Sequence, residues 1–375
     1  MKIAYFCHSL VSDWNHGNAH FIRGLVTELI LRGHDVQVFE PADAWSATNL
    51  VADHGELPYR EFEQRYPLLR THRYLPNEFC PSEAVDTCDL VMVHEWNDPA
   101  LIRELGTLRR QSKGFSLLFH DTHHRSVSDV QGLSALGLES YDGVLAFGET
   151  VCEQYRRAGW SNRCWVFHEA ADIRVFHPVA SIARTEAIVW IGNYGDEERS
   201  AELHEYLFEP AGALGLKGIV YGVRYPQCAL DAVERAGLQF GGWLPNFRVP
   251  EVMAKHLLTV HIPRRHYAES LKGIPTIRVF EALACGIPLI CAPWEDSEQL
   301  FRQDDFIVVR SGRAMRDAMF DLLHDERARK EQAARGLRSI LEKHTCSHRA
   351  EQLESIASAL GVRNAYCSTP LEAVS

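Results

Sequence analysis

The chain has 375 residues, of which 46% are hydrophobic and 24% are charged, and it carries a formal net charge of −11. A chain of this length has room for two domains of ordinary size, each with its own core. The negative charge argues against general nucleic-acid binding, because phosphates favour basic surfaces, although a local basic pocket for a small anion stays open.

The amino terminus shows one Lys followed by a strand-length apolar stretch, which is too short for the core of a signal peptide. No apolar segment approaches the roughly 20 residues that a membrane helix needs. The ten cysteines are scattered without a C-x-x-C pair, so reduced thiols are a better expectation than disulfides or a zinc cluster. We therefore expect a cytoplasmic protein without a transmembrane segment, and peripheral membrane contact stays open.

Short runs rich in Val, Ile, Leu and Phe alternate with stretches of helical length, which is typical of parallel sheets covered by helices. The stretch 43–85 is rich in charges and prolines, and we expect irregular helices there that lie over the sheet. The first series predicts a helix at 19–33 and strands at 2–7, 35–41, 88–94, 115–121, 141–148 and 163–169.

A second series of elements follows the polar stretch 170–186, which we interpret as a linker. This series predicts strands at 187–193, 217–223, 238–243, 257–263, 287–293 and 306–309. Three more helices are predicted at 311–324, 326–343 and 347–360.

The two series predict an α/β protein in which two domains, 1–178 and 183–345, face each other across a cleft. The helix at 347–360 could pack back on the first domain. In open parallel sheets, ligands bind outside the carboxyl ends of the strands. We therefore expect the chemistry of the protein to lie in the cleft.

The sequence GIPTIRVFEALACGIPLICAP, residues 273–293, predicts a short helix followed by a buried strand. Gly273 gives the backbone conformational freedom before the helix. Pro275 suits the first turn of the helix, because an N–H at that position would have no partner within the helix. The amides at such a helix start suit a phosphate or a diphosphate. Arg278 and Glu281 lie three residues apart, either as a surface salt bridge of at most about 1 kcal/mol or as ligand-binding groups.

Four stretches of the chain together resemble the GT-B glycosyltransferases and, within them, the branch similar to the spore-maturation protein CgeB. The resemblance implies two Rossmann-like domains, with a nucleotide-sugar donor on the second and an acceptor on the first. The implied reaction is hexosyl transfer from a nucleoside-diphosphate donor to a hydroxyl of a saccharide, a lipid or a small molecule. The stretches are GNAHFIRGLVTELILRGHDV (17–36), ADIRVFHP (171–178), RVFEALACGIPLICAP (278–293) and HTCSHRAEQLESI (344–356).

In enzymes of this kind, the Glu of the F-E-A-L-A-C-G motif accepts hydrogen bonds from the donor ribose, which implies that role for Glu281 here. A structural ion pair is the alternative. The larger retaining families carry another Glu eight residues earlier, where this chain has Gly273, and Glu269 is out of register. The contact to the sugar and the stereochemical outcome therefore stay open.

The resemblance also implies basic residues around the diphosphate, whose charge can balance the leaving group without a metal or a cofactor. Six basic residues are candidates, and for each the alternative is a solvated charge or an ion pair. Small residues at the end of the first strand of the second domain would let the backbone approach the donor closely. The predicted donor-binding residues are Glu281, Arg278, Arg199, Arg264, Thr276, Gly192 and Asn193.

Two stretches of the first domain are expected on the acceptor side. The loop containing Gly17, Asn18 and His20 resembles the glycine-rich loop near the reacting centre of this superfamily. FHDTHHRSVSD, residues 119–129, places three His, an Asp and an Arg at the end of a predicted strand. The predicted catalytic residues, which act as acid or base groups, are Asp121, His123 and His20.

The stretch 119–129 has two other interpretations. It could be a loop whose polar side chains only form hydrogen bonds within the protein, or it could be a metal site. It shows no H-x-x-x-H spacing and no partnering Cys, so we expect no metal. For the whole chain, a nucleotide-sugar epimerase of the same fold and a catalytically silent binding or scaffold protein remain alternatives. A nicotinamide dehydrogenase is disfavoured, because no G-x-G-x-x-G follows the first strand.

Overall fold

The computed structural model describes residues 1–112, 114–161, 163–195 and 197–362, so Cys367 lies outside the described residues. The strands are β1 Lys2–Phe6, β2 Asp35–Pro41, β3 Thr71–Tyr74, β4 Leu90–His94, β5 Ser116–Asp121, β6 Gly143–Ala146, β7 Cys164–Val166, β8 Glu186–Ile191, β9 Gly218–Tyr221, β10 Gln239–Gly242, β11 His256–His261, β12 Leu289–Cys291 and β13 Ile307–Val308.

The helices are α1 Ala19–Leu31, α2 Trp45–His54, α3 Leu57–Arg65, α4 Pro81–Val85, α5 Pro99–Gln111, α6 Arg125–Ser128, α7 Val130–Ser134, α8 Glu149–Ala158, α9 Ser200–Leu203, α10 Glu209–Leu214, α11 Gln227–Arg235, α12 Val249–Lys255, α13 Arg265–Glu269, α14 Ile277–Ala284, α15 Gly312–His324, α16 Glu326–Lys343 and α17 Cys346–Ala359. A π-helical turn, His204–Phe208, joins α9 to α10.

The strands form two parallel sheets, one in the order β3-β2-β1-β4-β5-β6-β7 and the other in the order β10-β9-β8-β11-β12-β13. Central strands such as β4 and β5 are buried along their whole length, as expected when helices cover both faces of a parallel sheet. In each sheet the strand order reverses next to its first strand, at β1/β4 and at β8/β11. The predicted α/β fold with two Rossmann-like sheets is confirmed.

The stretch 43–85 differs from its prediction, because besides α2, α3 and α4 it contributes the edge strand β3. The sequence of β3, THRY, is short and polar, and no residue of it is fully buried. Since a half-exposed edge strand lacks the apolar signal of a central one, sequence patterning missed it.

The helix α14 begins later than the sequence predicts. It starts at Ile277 with Thr276 as its N-cap residue, so Pro275 precedes the helix instead of occupying its first turn. Gly273 has a φ of +86° and Gly286 a φ of +62°, so the two glycines take the backbone conformation that turns on either side of the helix require.

The chain crosses between the domains twice, and the two crossings are bonded to each other. Where the two segments meet, the N–H of Ala171 donates to the carbonyl of His344 over 2.9 Å, and the N–H of Cys346 donates to the carbonyl of Ala171 over 3.0 Å. Beyond this point α17 packs against α1, where Arg32 forms ion pairs with Glu351 and Glu354. No helix in the described part of the chain combines the length and the apolar character needed to cross a membrane.

Candidate active site

The carboxyl ends of β1, β4 and β5 face those of β8 and β11, together with the start of α14. The loop after β1 makes direct contacts across this interface. Asn15 Oδ1 accepts from Asn193 Nδ2 over 2.7 Å, and Asp13 Oδ1 accepts from Trp243 Nε1 over 3.0 Å. The reversal points of both sheets therefore meet where ligands of such sheets bind.

Arg199 is fixed at the edge of the second sheet, which we call the donor edge after the predicted donor-binding residues. Its Nη2 donates to the carbonyl of Asn193 over 2.8 Å and to Oδ1 of the same residue over 2.6 Å, and Nη1 donates to the carbonyl of Ile262 over 3.2 Å. A Cβ on Gly192 would lie 2.8 Å from the Trp190 ring and 3.2 Å from Nη2 of Arg199. The small residue predicted at 192 thus makes room for the arginine.

The three predicted arginines gather at the donor edge. Arg199 and Arg264 both donate to Oδ1 of Asn193, over 2.6 Å and 3.5 Å. Burial lowers the pKa of Arg199 to about 10, and the charges of Arg264 and Arg278 contribute to this shift. Arg264 pairs with Glu198, and Arg278 pairs with Glu281. The two carboxylates balance two of the three positive charges, so an anion with several oxygens can bind here by competing with them for the arginines. The half-exposed members of the predicted donor set are Gly192, Asn193, Arg199, Arg264, Thr276 and Arg278.

Thr276 connects the start of α14 to the end of β11. Its Oγ1 lies 3.0 Å from Nε2 of His261. Burial lowers the pKa of His261 to about 3, and the charge of Arg199 contributes, so His261 is neutral and adds no charge to the donor edge. The cationic character therefore comes from the arginines.

Glu281 is buried with 0% exposure, and its carboxylate accepts hydrogen bonds from side chains of both domains. Oε1 accepts from Nδ1 of His20 over 2.9 Å and from Nδ2 of Asn246 over 3.1 Å, while Oε2 pairs with Arg278. Burial raises the pKa of Glu281, but Arg278 and the other two partners outweigh it, so the pKa is lowered and the group is charged. This arrangement matches the structural ion pair better than the ribose contact, which stays a prediction.

His20 has no ring nitrogen left for a substrate. Its Nε2 accepts from the backbone N–H of Asp172 over 2.9 Å, so its proton is on Nδ1, which donates to Glu281. The ring also stacks on Phe176 with 3.8 Å between centroids. His20 is therefore not placed to act as the predicted acid or base. It is buried and connects α1 to the linker and to α14.

Glu169 follows β7 in the chain and lies beside the start of α14, where the sequence predicts phosphate binding. The residue is only 3% exposed, and its Oε1 has no hydrogen-bond partner among the described residues. Burial, together with the charge of Glu281, raises the pKa of Glu169 to about 8, against a hydrogen bond from the N–H of Ile277 that lowers it. At neutral pH the carboxyl is protonated, so it can donate to an anion there instead of repelling it.

Asp121 is fully buried at the edge of the first sheet, which we call the acceptor edge after the acceptor side predicted there. Its Oδ1 accepts from the backbone N–H of His123 over 3.0 Å, and its Oδ2 accepts from the Tyr155 hydroxyl over 2.8 Å. Burial raises its pKa to about 6. Burial, with the charge of Asp121, also raises the pKa of Glu95 well above its usual range. Asp121 thus holds the backbone of His123 and does not face the cleft.

His123 is the predicted catalytic residue with a free ring nitrogen. Its Nδ1 has no hydrogen-bond partner among the described residues, and the ring lies beside Trp96 with 4.9 Å between centroids. Burial and the neighbouring cations hold the pKa of His123 well below its usual value. The imidazole is therefore neutral at neutral pH, and the same surroundings make it a weak base.

The predicted glycine-rich loop lies between the two edges. A Cβ on Gly17 would stand 3.4 Å from Cγ2 of Ile277, the first residue of α14. Asn18 donates through Nδ2 to Oγ1 of Thr122, directly after β5. The loop thus brings the acceptor edge against the start of α14.

Two residues outside the predicted site set, Asp13 and Glu95, also organise this interface, and the stretch 94–99, which contains Glu95, follows a predicted strand. Asp13 accepts from Arg23, Trp243 and the backbone N–H of Asn246, and Glu95 accepts from the backbone N–H of Thr122 over 2.8 Å. Glu95 carries a usable signal, since it directly follows a buried strand. Asp13 carries none, because its partners are distant in sequence.

Comparison with known proteins agrees with this architecture. Residues 199–355, which include the arginines, match a family described as glycosyl transferase-like. Among solved structures, sucrose-phosphate synthase from Thermosynechococcus elongatus is 16% identical with a TM-score of 0.66, covering 96% of this chain and 99% of that chain. Anabaena HepE in complex with UDP and glucose is 13% identical with a TM-score of 0.67, covering 96% and 100%.

An alpha-glucosyltransferase in complex with UDP and a 13-mer DNA is 14% identical with a TM-score of 0.67, covering 96% of this chain and 99% of that chain. At such coverage these similarities establish the fold along nearly the whole chain. The protein has the GT-B fold, in which two Rossmann-like domains face each other. The resemblance to the CgeB-like branch stays a prediction.

Proposed function

We propose that the protein is a glycosyltransferase that moves a hexose from a nucleoside-diphosphate donor to a hydroxyl acceptor, with no cofactor and no metal in the transfer step. One observation carries the proposal: Arg199, Arg264 and Arg278 converge at the donor edge and face the acceptor edge of a GT-B fold. The match of residues 199–355 to a glycosyl transferase-like family supports it.

The donor edge suits the departure of a nucleoside diphosphate. Negative charge develops on the leaving phosphate as the glycosidic bond breaks, and guanidinium groups already in place stabilise it. Arg264 and Arg278 are half-exposed, so an incoming diphosphate can compete for them against Glu198 and Glu281. UDP is the first candidate donor nucleotide, because similar structures were solved with it.

The acceptor edge suits the activation of a hydroxyl group. If the reaction inverts configuration, His123 is the candidate to take the hydroxyl proton, because its Nδ1 has no hydrogen-bond partner among the described residues, while Asp121 holds its backbone in place. If the reaction retains configuration, the leaving phosphate takes the proton. A saccharide, a lipid or a small molecule fits a chain with a net charge of −11 better than DNA does, and we propose a cytoplasmic location.

A second candidate is a sugar-nucleotide-binding protein without transferase activity. It is favoured by the closed contacts of Glu281 and by Gly273, which stands where larger retaining families carry a carboxylate. This candidate shares the donor edge but not the chemistry. It therefore predicts nucleotide binding without turnover.

The test begins with calorimetric titration of UDP, GDP, ADP and TDP into the wild type, Arg264→Ala and Arg265→Ala. Hydrogen bonds to charged groups contribute about 1.5–3 kcal/mol, so Arg264→Ala should weaken binding by about 10- to 100-fold. Arg265 is its matched control, because the neighbouring arginine is exposed and pairs with Glu202. Arg265→Ala should change the affinity less than twofold.

The nucleotide that binds best is then offered as its radiolabelled sugar conjugate with a panel of hydroxyl acceptors. Transfer to an acceptor supports the glycosyltransferase, whereas binding without transfer or hydrolysis supports the second candidate. Interconversion of the donor without acceptor would identify an epimerase. Failure of all four nucleotides to bind would overturn the proposal.

A further inference from the structure

Three potential metal ligands from three distant segments converge at the interface. His124 follows β5 in the first domain, whereas Glu198 precedes α9 and His266 lies in α13 of the second domain. Nε2 of His124 lies 3.5 Å from Oε2 of Glu198, and Nε2 of His266 lies 3.8 Å from Oε1. One ligand atom from each residue lies within 4.8 Å of the other two.

The orientation of His124 is fixed by Ser128. The Ser128 hydroxyl donates to the carbonyl of His124 over 3.1 Å, so the same oxygen accepts from Nδ1–H of the ring, 2.8 Å away. The other nitrogen, Nε2, therefore carries a lone pair. It is buried without a hydrogen-bond partner in the described chain, and it faces the Glu198 carboxylate. Two electron-rich atoms face each other, a contact that a cation between them would make favourable.

We propose that His124, Glu198 and His266 bind a divalent transition-metal ion of the Zn²⁺ type between the two domains. Ligand bonds of about 2.0–2.2 Å in tetrahedral geometry place ligand atoms about 3.3 Å apart, so the three atoms, which lie within 4.8 Å of one another, have to approach by up to about 1.5 Å. Two imidazoles favour Zn²⁺ over Mg²⁺ or Ca²⁺, which prefer oxygen ligands. The hydrogen bond from His124 to Ser128 is the outer support that metal-bound histidines usually have.

Arg264 is the competitor for this site, because its Nη1 pairs with Oε2 of Glu198. A donor diphosphate that draws Arg264 away leaves the carboxylate to the metal. Since one ligand comes from the first domain and two from the second, the ion stabilises the domain arrangement in which all three meet. The inference does not rest on the proposed function, because metal binding is measured without donor or acceptor.

The test is a titration of Zn²⁺ against a chromophoric chelator, with the wild type, His124→Ala, Glu198→Gln and His266→Ala. We expect one Zn²⁺ per chain in the wild type and at least about 100-fold weaker binding in each variant. Ser128→Ala should weaken binding by about 10- to 100-fold, as loss of an outer partner does. The matched control is His324→Ala, an exposed histidine in α15, and should bind like the wild type.

Two further measurements separate this site from a folding defect and from metal binding elsewhere on the chain. Circular dichroism checks that each variant is folded, and half-exposed His266 is the substitution least able to disturb the core. Co²⁺ in place of Zn²⁺ should give visible bands of tetrahedral nitrogen and oxygen coordination. A thiolate charge-transfer band would instead assign binding to cysteines such as exposed Cys80 or Cys228 and overturn the proposal.

Arg264→Ala gives a result of the opposite sign. Removing the competing cation should tighten Zn²⁺ binding, although the same substitution should weaken nucleotide binding. Unchanged Zn²⁺ affinity in His124→Ala, Glu198→Gln and His266→Ala, or weaker binding in Arg264→Ala, would overturn the assignment.

Discussion

The two edges that face each other at the domain interface differ in how they treat ionisable groups. The donor edge keeps three arginines half-exposed and charged, whereas the acceptor edge buries its histidines and carboxyls. Burial lowers the pKa of His120 to about 3 and holds the pKa of His94 well below its usual value, and it raises that of Glu95. One edge thus presents charge to a ligand, while the other holds its ionisable groups neutral.

The largest expected effect comes from a substitution that changes only the acceptor edge. If the reaction inverts configuration, His123→Ala should lower kcat by about 100- to 10,000-fold, the usual loss when an acid or base is removed, and leave the donor Kd within about twofold. The measurement is single-turnover transfer together with calorimetry. His324→Ala serves as the exposed control, and a wild-type kcat in His123→Ala would remove this residue from the mechanism.

The next effect concerns the group that links both edges. Glu281→Ala should destabilise the protein by about 3–5 kcal/mol, because it leaves buried partners in both domains unpaired. If Glu281 only bound the ribose, Glu281→Ala would leave the stability of the protein unchanged. Glu281→Gln should cost less, since the amide oxygen still accepts from His20 and Asn246. Urea unfolding measures all three proteins.

The matched control for Glu281 is Glu326→Ala, which removes an exposed ion pair with Lys330 and should cost at most about 1 kcal/mol. A Glu281→Ala variant as stable as this control, with lost donor affinity, would contradict the structural role of Glu281. It would then restore the ribose contact.

A pH-dependent effect tests the protonated carboxyl at the start of α14. The pKa of Glu169 is raised from 4.5 to about 8 in the folded protein, so the folded state binds a proton that the unfolded chain releases. Its contribution to stability is present at pH 4 and is lost as the pH rises to about 8. In the wild type, Glu169 should make the free energy of unfolding fall by up to about 1.4 kcal/mol per pH unit over this range, and Glu169→Gln should abolish that contribution. Urea unfolding at pH 5, 6, 7 and 8 measures it, and parallel profiles would refute the raised pKa.

The smallest effect concerns the contact between the edges at Asn15. This residue has a φ of +49°, a conformation that costs most residues with a Cβ about 1 kcal/mol or more but costs Gly little. Asn15→Ala and Asn15→Gly both lose the hydrogen bond to Asn193. Asn15→Gly should therefore be about 1 kcal/mol more stable than Asn15→Ala in urea unfolding. Equal stabilities would show that the backbone is free to change there.

Much of the fold could be predicted from the sequence, because buried parallel strands produce apolar runs that differ clearly from their surroundings. Strand β3 could not, since its polar edge residues produce no such run. The grouping of the arginines was also within reach, because the ends of neighbouring parallel strands meet at one edge. The partners of Glu281 were not, since Asn246 and His20 approach it from separate elements, and no spacing within one segment encodes that contact.

The paired crossings at Ala171 and Thr345 have a mechanical consequence. The two segments cannot slide past each other without breaking both hydrogen bonds, so the pair resists translation of one domain along the other at this point. A substitution that removes the N–H of Ala171 or of Cys346, such as Pro, would therefore loosen both crossings at once.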